Sequence, residues 1–210
     1  MELYLIRHGE TEWSRARRHT GRTDVPLSPA GEAEARALGE HLAGLQVDRV
    51  LSSPLSRATT TARLAGFGDR LETTPVLLEF DYGDYEGLTS TQVREERPGW
   101  DLFRDGCPGG ETAAAVAERS RPLLQRLDAE GRPTVLFGHG HALRILAACY
   151  LGLPPEAARH LFLGTASVSA LGREHTWPAI LLWNEQEGSD APSAERGVPG
   201  WRGVPRRAGR

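Results

Sequence analysis

Leu5-Ile6-Arg7-His8-Gly9-Glu10-Thr11 closes the first apolar run of the chain. An arginine and a histidine stand side by side where a buried strand should meet a glycine. Far downstream, Val135-Leu136-Phe137-Gly138-His139-Gly140-His141 has the same layout. In α/β sheets, functional groups are presented beyond the carboxyl ends of the strands. Two histidines and an arginine converging there suit a phosphoryl group. A guanidinium matches the anion's geometry, and a neutral imidazole can attack phosphorus.

The rest of the chain supplies elements for such a sheet. Strand-like runs occur at 2–7, 48–52, 133–138, 166–171 and 178–183, with helical patterns between them. Ser28-Pro29 reads as a helix start, serine as N-cap and proline in the first turn. Ala33, Ala37, Leu38, His41 and Leu42 then recur at helical spacing. Ser53-Pro54 repeats the signal before Leu55–Leu64. Thr112 caps a helix running to about Ala129, and 141–151 forms another behind the second motif. Alternating strands and helices predict an α/β fold with a mainly parallel sheet.

Composition narrows the functional classes. The chain has 210 residues, enough for one substantial core, and 39% of them are hydrophobic. Its formal net charge of −3 gives no global field for nucleic acid or membranes. All 25 basic residues are arginine, a compositional bias that is not in itself an anion-binding signal. No apolar run is long enough to span a bilayer. Met1–Ile6 lacks the basic start and long apolar stretch of a secretion signal, so a cytoplasmic location is expected. Cys107 and Cys149 do not make a disulfide framework. Residues 186–210 turn to Gly, Pro, Ser and Arg, and read as a disordered tail with a basic end at Arg196, Arg202, Arg206, Arg207 and Arg210.

Four blocks occur in order: Arg7-His8-Gly9, Ser53-Pro54-Leu55-Ser56-Arg57-Ala58, Glu79 within Leu78-Glu79-Phe80-Asp81-Tyr82-Gly83, and His139-Gly140. Together they resemble the histidine phosphatase, or phosphoglycerate-mutase-like, superfamily over roughly residues 1–185. The resemblance implies a three-layer αβα sandwich; the length suggests a single domain, and no cofactor or metal is expected. It also implies that His8 is phosphorylated, that Arg7, Arg57 and His139 bind phosphate, and that Glu79 protonates the leaving oxygen and then activates water. Asp81, Asp84 and Glu86 are nearby rivals of Glu79.

Elementary chemistry fits these roles. One His8 nitrogen must donate a hydrogen bond to leave the other free. Strand alternation turns Arg7 away from His8, so a bend at Gly9 is expected. Arg57 falls in the first turn of the helix expected from Ser53-Pro54, and as imidazolium His139 would balance developing charge. Partial desolvation after an apolar run suits Glu79 to general-acid work. Lower in rank stand Ser14, in place of the family's common asparagine, Thr20 and Gly21, which the resemblance makes a substrate-contacting segment, and Gly140 and His141. His19 is a further loop candidate for substrate contact.

The resemblance points most closely to actinobacterial acid phosphatases and sedoheptulose-bisphosphatase-like sugar phosphatases. A phosphomonoesterase acting on small phosphorylated metabolites, such as sugar phosphates, is therefore expected, with a small-molecule ester as partner. A cofactor-dependent mutase, a sugar bisphosphatase and a non-catalytic phosphate-binding protein remain open, as does a homo-oligomer. Three features favour hydrolysis over mutase chemistry. The Leu88–Glu111 segment is shorter than its mutase counterpart, Glu79-Phe80-Asp81-Tyr82-Gly83 replaces the usual Glu-Arg-His-Tyr-Gly, and no mutase-type closing segment is recognisable at the C-terminus. Arg22, Arg104 and Arg144 are candidates for holding a second phosphate. His8, Glu79, His139 and His141 as metal ligands form a further alternative, opposed by the cations Arg7 and Arg57.

Overall fold

The computed structural model describes residues 2–186. The basic stretch at Arg196–Arg210 lies outside the described residues. Six strands form one sheet: β1 (Leu3–Arg7), β2 (Arg49–Ser52), β3 (Leu71–Thr73), β4 (Thr134–Gly138), β5 (Val168–Glu174) and β6 (Trp177–Glu185), in the order β3-β2-β4-β1-β5-β6. The four strands from β3 to β1 are parallel, while β5 and β6 run antiparallel. Five strands match the sequence pattern. β3 does not, because three largely exposed residues carry no apolar period.

Among the described residues seven α-helices accompany the sheet: α1 (Glu12–Arg15), α2 (Pro29–His41), α3 (Ser56–Ala62), α4 (Ser90–Glu96), α5 (Leu102–Asp105), α6 (Ala113–Glu130) and α7 (Gly140–Tyr150). Ser28 caps α2 as its sequence predicts, its Oγ accepting from the Gly31 N–H at 3.0 Å with Pro29 in the first turn. Thr112 does the same for α6 through Ala115.

Pleat alternation divides the core into two layers. Tyr4, Ile6, Val50, Val135 and Phe137 pack with Leu38 and Leu42 of α2 and Ala62 of α3. Leu3, Leu5, Leu51 and Leu136 face the other way, onto Leu123 and Leu127 of α6 and Leu143 and Leu146 of α7. The result is the expected αβα sandwich. A third cluster, with Phe80, Tyr82, Val93, Trp100 and Phe103 packed against Ala117 and Ile145, seats residues 80–107 on α6 and α7.

Two readings of local sequence need correction. Ser53-Pro54 does not start the third helix, which begins at Ser56 with Leu55 as N-cap and no side-chain cap. Gly9 has no left-handed backbone. It is needed for a close approach instead, since a Cβ there would lie 2.3 Å from the Gly31 carbonyl oxygen.

Candidate active site

His8 and His139 follow two adjacent parallel strands, β1 and β4, which places their rings 5.2 Å apart at a steep angle. Both are buried, with relative exposures of 4% and 0%. His8 Nδ1 lies 2.7 Å from the Gly9 carbonyl oxygen. A carbonyl only accepts, so Nδ1 carries the proton and the Nε2 lone pair is free. Burial, reinforced by Arg57 and Arg7, holds the His8 pKa well below 6.5, and the ring is neutral.

His139 takes the opposite tautomer. Its Nδ1 accepts from Arg57 Nε at 3.2 Å, so its Nε2 is protonated and donates to Ser53 Oγ at 2.7 Å. Burial, then the cations Arg57 and Arg7 with His8 between them in strength, pushes its pKa well below 6.5. His139 is thus a neutral donor in this state rather than the imidazolium that sequence suggests. Ser53, which reads as a helix cap, is its partner.

The two arginines reach the site from opposite faces of the sheet, and no bend of β1 is needed. Arg7 shares the pleat of Leu3 and Leu5 and runs beneath the start of α7. A Cβ on Gly140 would sit 3.4 Å from its guanidinium carbon. Its Nη1 donates to the Leu163 carbonyl, while its buried Nε has no hydrogen-bond partner among the described residues. Arg57 comes from α3 on the other face and is fully buried. Its guanidinium donates to the carbonyls of Thr23, Thr20 and Gly21 at 2.8, 3.0 and 2.9 Å, besides His139.

Glu79 is 5% exposed, and three backbone N–H groups converge on its carboxylate. Oε1 accepts from Phe80 and Ala142, both at 2.8 Å, and Oε2 from His141 at 3.1 Å. The last two N–H groups open α7, where helical partners are lacking and negative charge is favoured. Arg119 steadies the surrounding chain, donating to the Glu79 and Val76 carbonyls and pairing with Glu111.

The lower-ranked residues divide. The His141 N–H serves Glu79. Its ring is hydrogen-bonded through Nδ1 to Tyr82 Oη at 2.5 Å. Ser14 is used by the capping box of α1 with Thr11. Thr20 and Gly21 present their carbonyls to Arg57, and the Gly21 N–H goes to Glu86. His19 is buried, stacked on Tyr82 at 4.7 Å and bonded to Ser90, so it braces the roof of the site.

The candidates for a second phosphate are already engaged. Arg22 pairs with Asp81 and Glu111, and Arg104 with Asp105 and the Gly99 carbonyl. Arg144 lies over Phe103 and donates to the carbonyls of Ala158 and Arg159. Cys107 is buried, and desolvation pushes its thiol up to about 12. Among the described residues no group of three or more His, Cys, Asp or Glu side chains is arranged to hold a metal.

A family model described as the histidine phosphatase superfamily (branch 1) matches residues 3–186. The chain belongs to the histidine phosphatase superfamily. It is 40% identical over 177 residues to an acid phosphatase of Mycobacterium tuberculosis, covering 82% of this chain and 87% of that protein. It is 35% identical over 182 residues to sedoheptulose 1,7-bisphosphatase of Saccharomyces cerevisiae (71% of this chain, 67% of that one). It is also 35% identical over 191 residues to the probable phosphoglycerate mutase GpmB of Salmonella choleraesuis (85% and 88%). The solved structure of an M. tuberculosis open reading frame superposes with a TM-score of 0.84 at 36% identity, covering 88% of this chain and 97% of that one. Its family and its phosphatase-named relatives support phosphatase activity. No helix among the described residues is long and apolar enough to cross a membrane.

Proposed function

We propose that this histidine phosphatase is a phosphomonoesterase of small phosphorylated metabolites, sugar phosphates foremost, working through a phosphohistidine on His8. The observation that carries the reading is the His8 tautomer: a neutral ring whose proton is tied to the Gly9 carbonyl, leaving the Nε2 lone pair for phosphorus. The Arg7 Nε–H, which has no partner among the described residues, and the remaining Arg57 Nη1 N–H are donors for the phosphoryl oxygens, while the His139 Nε2–H serves them only by giving up Ser53 Oγ.

In the first step the Nε2 lone pair forms the N–P bond as the P–O bond to the leaving group breaks. Glu79 gives its proton to the departing oxygen. Its Oε1 is filled by two N–H groups and its Oε2 by one, so the second lone pair of Oε2 is the position from which a proton can pass to the departing oxygen. In the second step the Glu79 carboxylate takes a proton from water. The resulting hydroxide oxygen attacks phosphorus, the N–P bond breaks and inorganic phosphate leaves.

A mutase must withhold water until the phosphoryl group returns to substrate. The short Leu88–Glu111 segment and the replaced Glu-Arg-His-Tyr-Gly motif support hydrolysis instead. We place the protein in the cytoplasm, with a small phosphate ester as its partner. The test is phosphate release from p-nitrophenyl phosphate, 3-phosphoglycerate and sugar mono- and bisphosphates. Mutase activity is measured in parallel with 2,3-bisphosphoglycerate present. Hydrolysis with negligible mutase activity is expected, and dominant mutase activity refutes the hydrolytic assignment.

A further inference from the structure

Four carboxylates lie between Glu79 and Glu86, and Glu86 differs from the others in what it binds. Its Oε1 and Oε2 accept the Gly21 N–H at 2.9 and 3.0 Å, and Oε1 also accepts the Thr23 N–H at 3.1 Å. The carbonyls of that same loop, at Thr20, Gly21 and Thr23, hold the Arg57 guanidinium. We propose that Glu86 is a positioning residue for the phosphate-binding arginine: it fixes the loop whose three carbonyls aim Arg57.

The donor count makes this aim consequential. A guanidinium has five N–H groups. One goes to His139, one to Thr23, and the two on Nη2 to Thr20 and Gly21, leaving a single Nη1 N–H for an incoming oxygen. Among the described residues no carboxylate is hydrogen-bonded to Arg57, so its charge is not paired off before a phosphoryl group arrives. The carboxylate is placed one layer further out.

Between its ends the loop is also held by Arg22, whose guanidinium pairs with Asp81 and Glu111. Arg22, Thr23 and Asp24 are exposed. Its far end is tied by Asp24, whose carboxylate accepts from Ser56 N and Oγ at 2.8 Å each. Glu86 holds the near end. The contact is too close for any side chain at Gly21, where a Cβ would lie 2.5 Å from the Phe80 carbonyl oxygen and 2.7 Å from Glu86 Oε2.

The phosphate-binding role of Arg57 rests on the function proposed above, so binding is measured apart from turnover. Inorganic phosphate is titrated calorimetrically into wild type, Glu86→Gln, Arg57→Lys and the double variant. KM, kcat and the melting temperature are recorded alongside. Glu86→Gln should weaken phosphate binding and raise KM by about tenfold, as expected for one misaimed hydrogen bond to an anion, and change kcat less. In the Arg57→Lys background the same change should cost under about twofold, because coupled residues are not additive. Wild-type affinity in Glu86→Gln, or a full independent loss in the double variant, overturns the proposal. A wild type that binds no phosphate sinks the functional reading as well. Should Glu86→Gln fail to fold, amide hydrogen exchange on wild type decides. The Gly21 and Thr23 amides should resist exchange, and free-loop rates at both overturn the proposal.

Discussion

Acid should unfold this protein through the histidines of its own active site. His8 and His139 are neutral and buried in the folded state, with pKa values well below 6.5, because burial and the adjacent arginines disfavour their charged forms. In the unfolded chain they titrate at about 6.5. Below that pH the unfolded state takes up protons that the folded site refuses, so stability is intact above 6.5 and falls as the pH drops. Between pH 7 and about pH 5.5, each ring that stays neutral costs ~1.2 kcal/mol. The pair therefore removes ~2.5 kcal/mol from a total that is typically ~5–15 kcal/mol. His141, partly buried and shifted the same way, adds to the loss. Urea unfolding followed by tryptophan fluorescence at the two pH values measures it. His139→Gln should be less stable at neutral pH, yet its further loss on acidification should shrink by the ~1.2 kcal/mol of one ring. Inorganic phosphate should flatten the fall, because a dianion beside the rings favours their charged forms and binds only the folded state. Stability that holds constant or rises as the pH drops through 6.5, or an undiminished fall in His139→Gln, would refute the neutral-histidine site.

His8→Ala should abolish turnover and the acid-labile phosphoenzyme seen after rapid quench. Substantial residual turnover would exclude His8 as the nucleophile. Glu79→Gln should slow alkyl phosphates more than aryl phosphates, since aryl leaving groups need little protonation. Steady-state rates slowed equally for both would point to another acid. Gly21→Ala forces the loop away from Phe80 and Glu86. A shift of this size should cost ~1–3 kcal/mol of stability and roughly ten- to a hundredfold in kcat/KM. Unfolding curves and p-nitrophenyl phosphate kinetics would show both, and wild-type values for both would mean that the loop does not aim Arg57.

The strands and the two best-capped helices were legible in sequence because their signals are local. Ser28 and Thr112 bond within three residues of themselves, and β1 and β4 are apolar runs, the first followed by His8-Gly9 and the second ending at Gly138. The misreadings have a common physical origin, since they involve partners distant in the chain. Ser53 looks like an N-cap, but its hydroxyl is held by a histidine from β4's far end. Gly9 looks like a hinge, but its missing Cβ makes room for Gly31. Glu86 looks like a spare acid until Gly21 and Thr23 are seen against it. The charge state of His139 depended on which nitrogen faces Arg57, something no linear motif records.

The strand order also has a consequence for how the molecule comes into being. β1 is made first, yet both of its neighbours, β4 and β5, come from the last third of the described chain: Leu3 pairs with Thr134 on one side and Leu171 on the other. A nascent chain therefore carries its central strand, and its nucleophile, without partners until most of the sequence has left the ribosome. Such distant pairings are slow to close. Throughout that time an apolar strand with two open edges is exposed to whatever else it can pair with. Neither half of the molecule can build the site alone. Residues 1–130 would lack His139, both neighbours of β1 and the strand that joins β1 to β2.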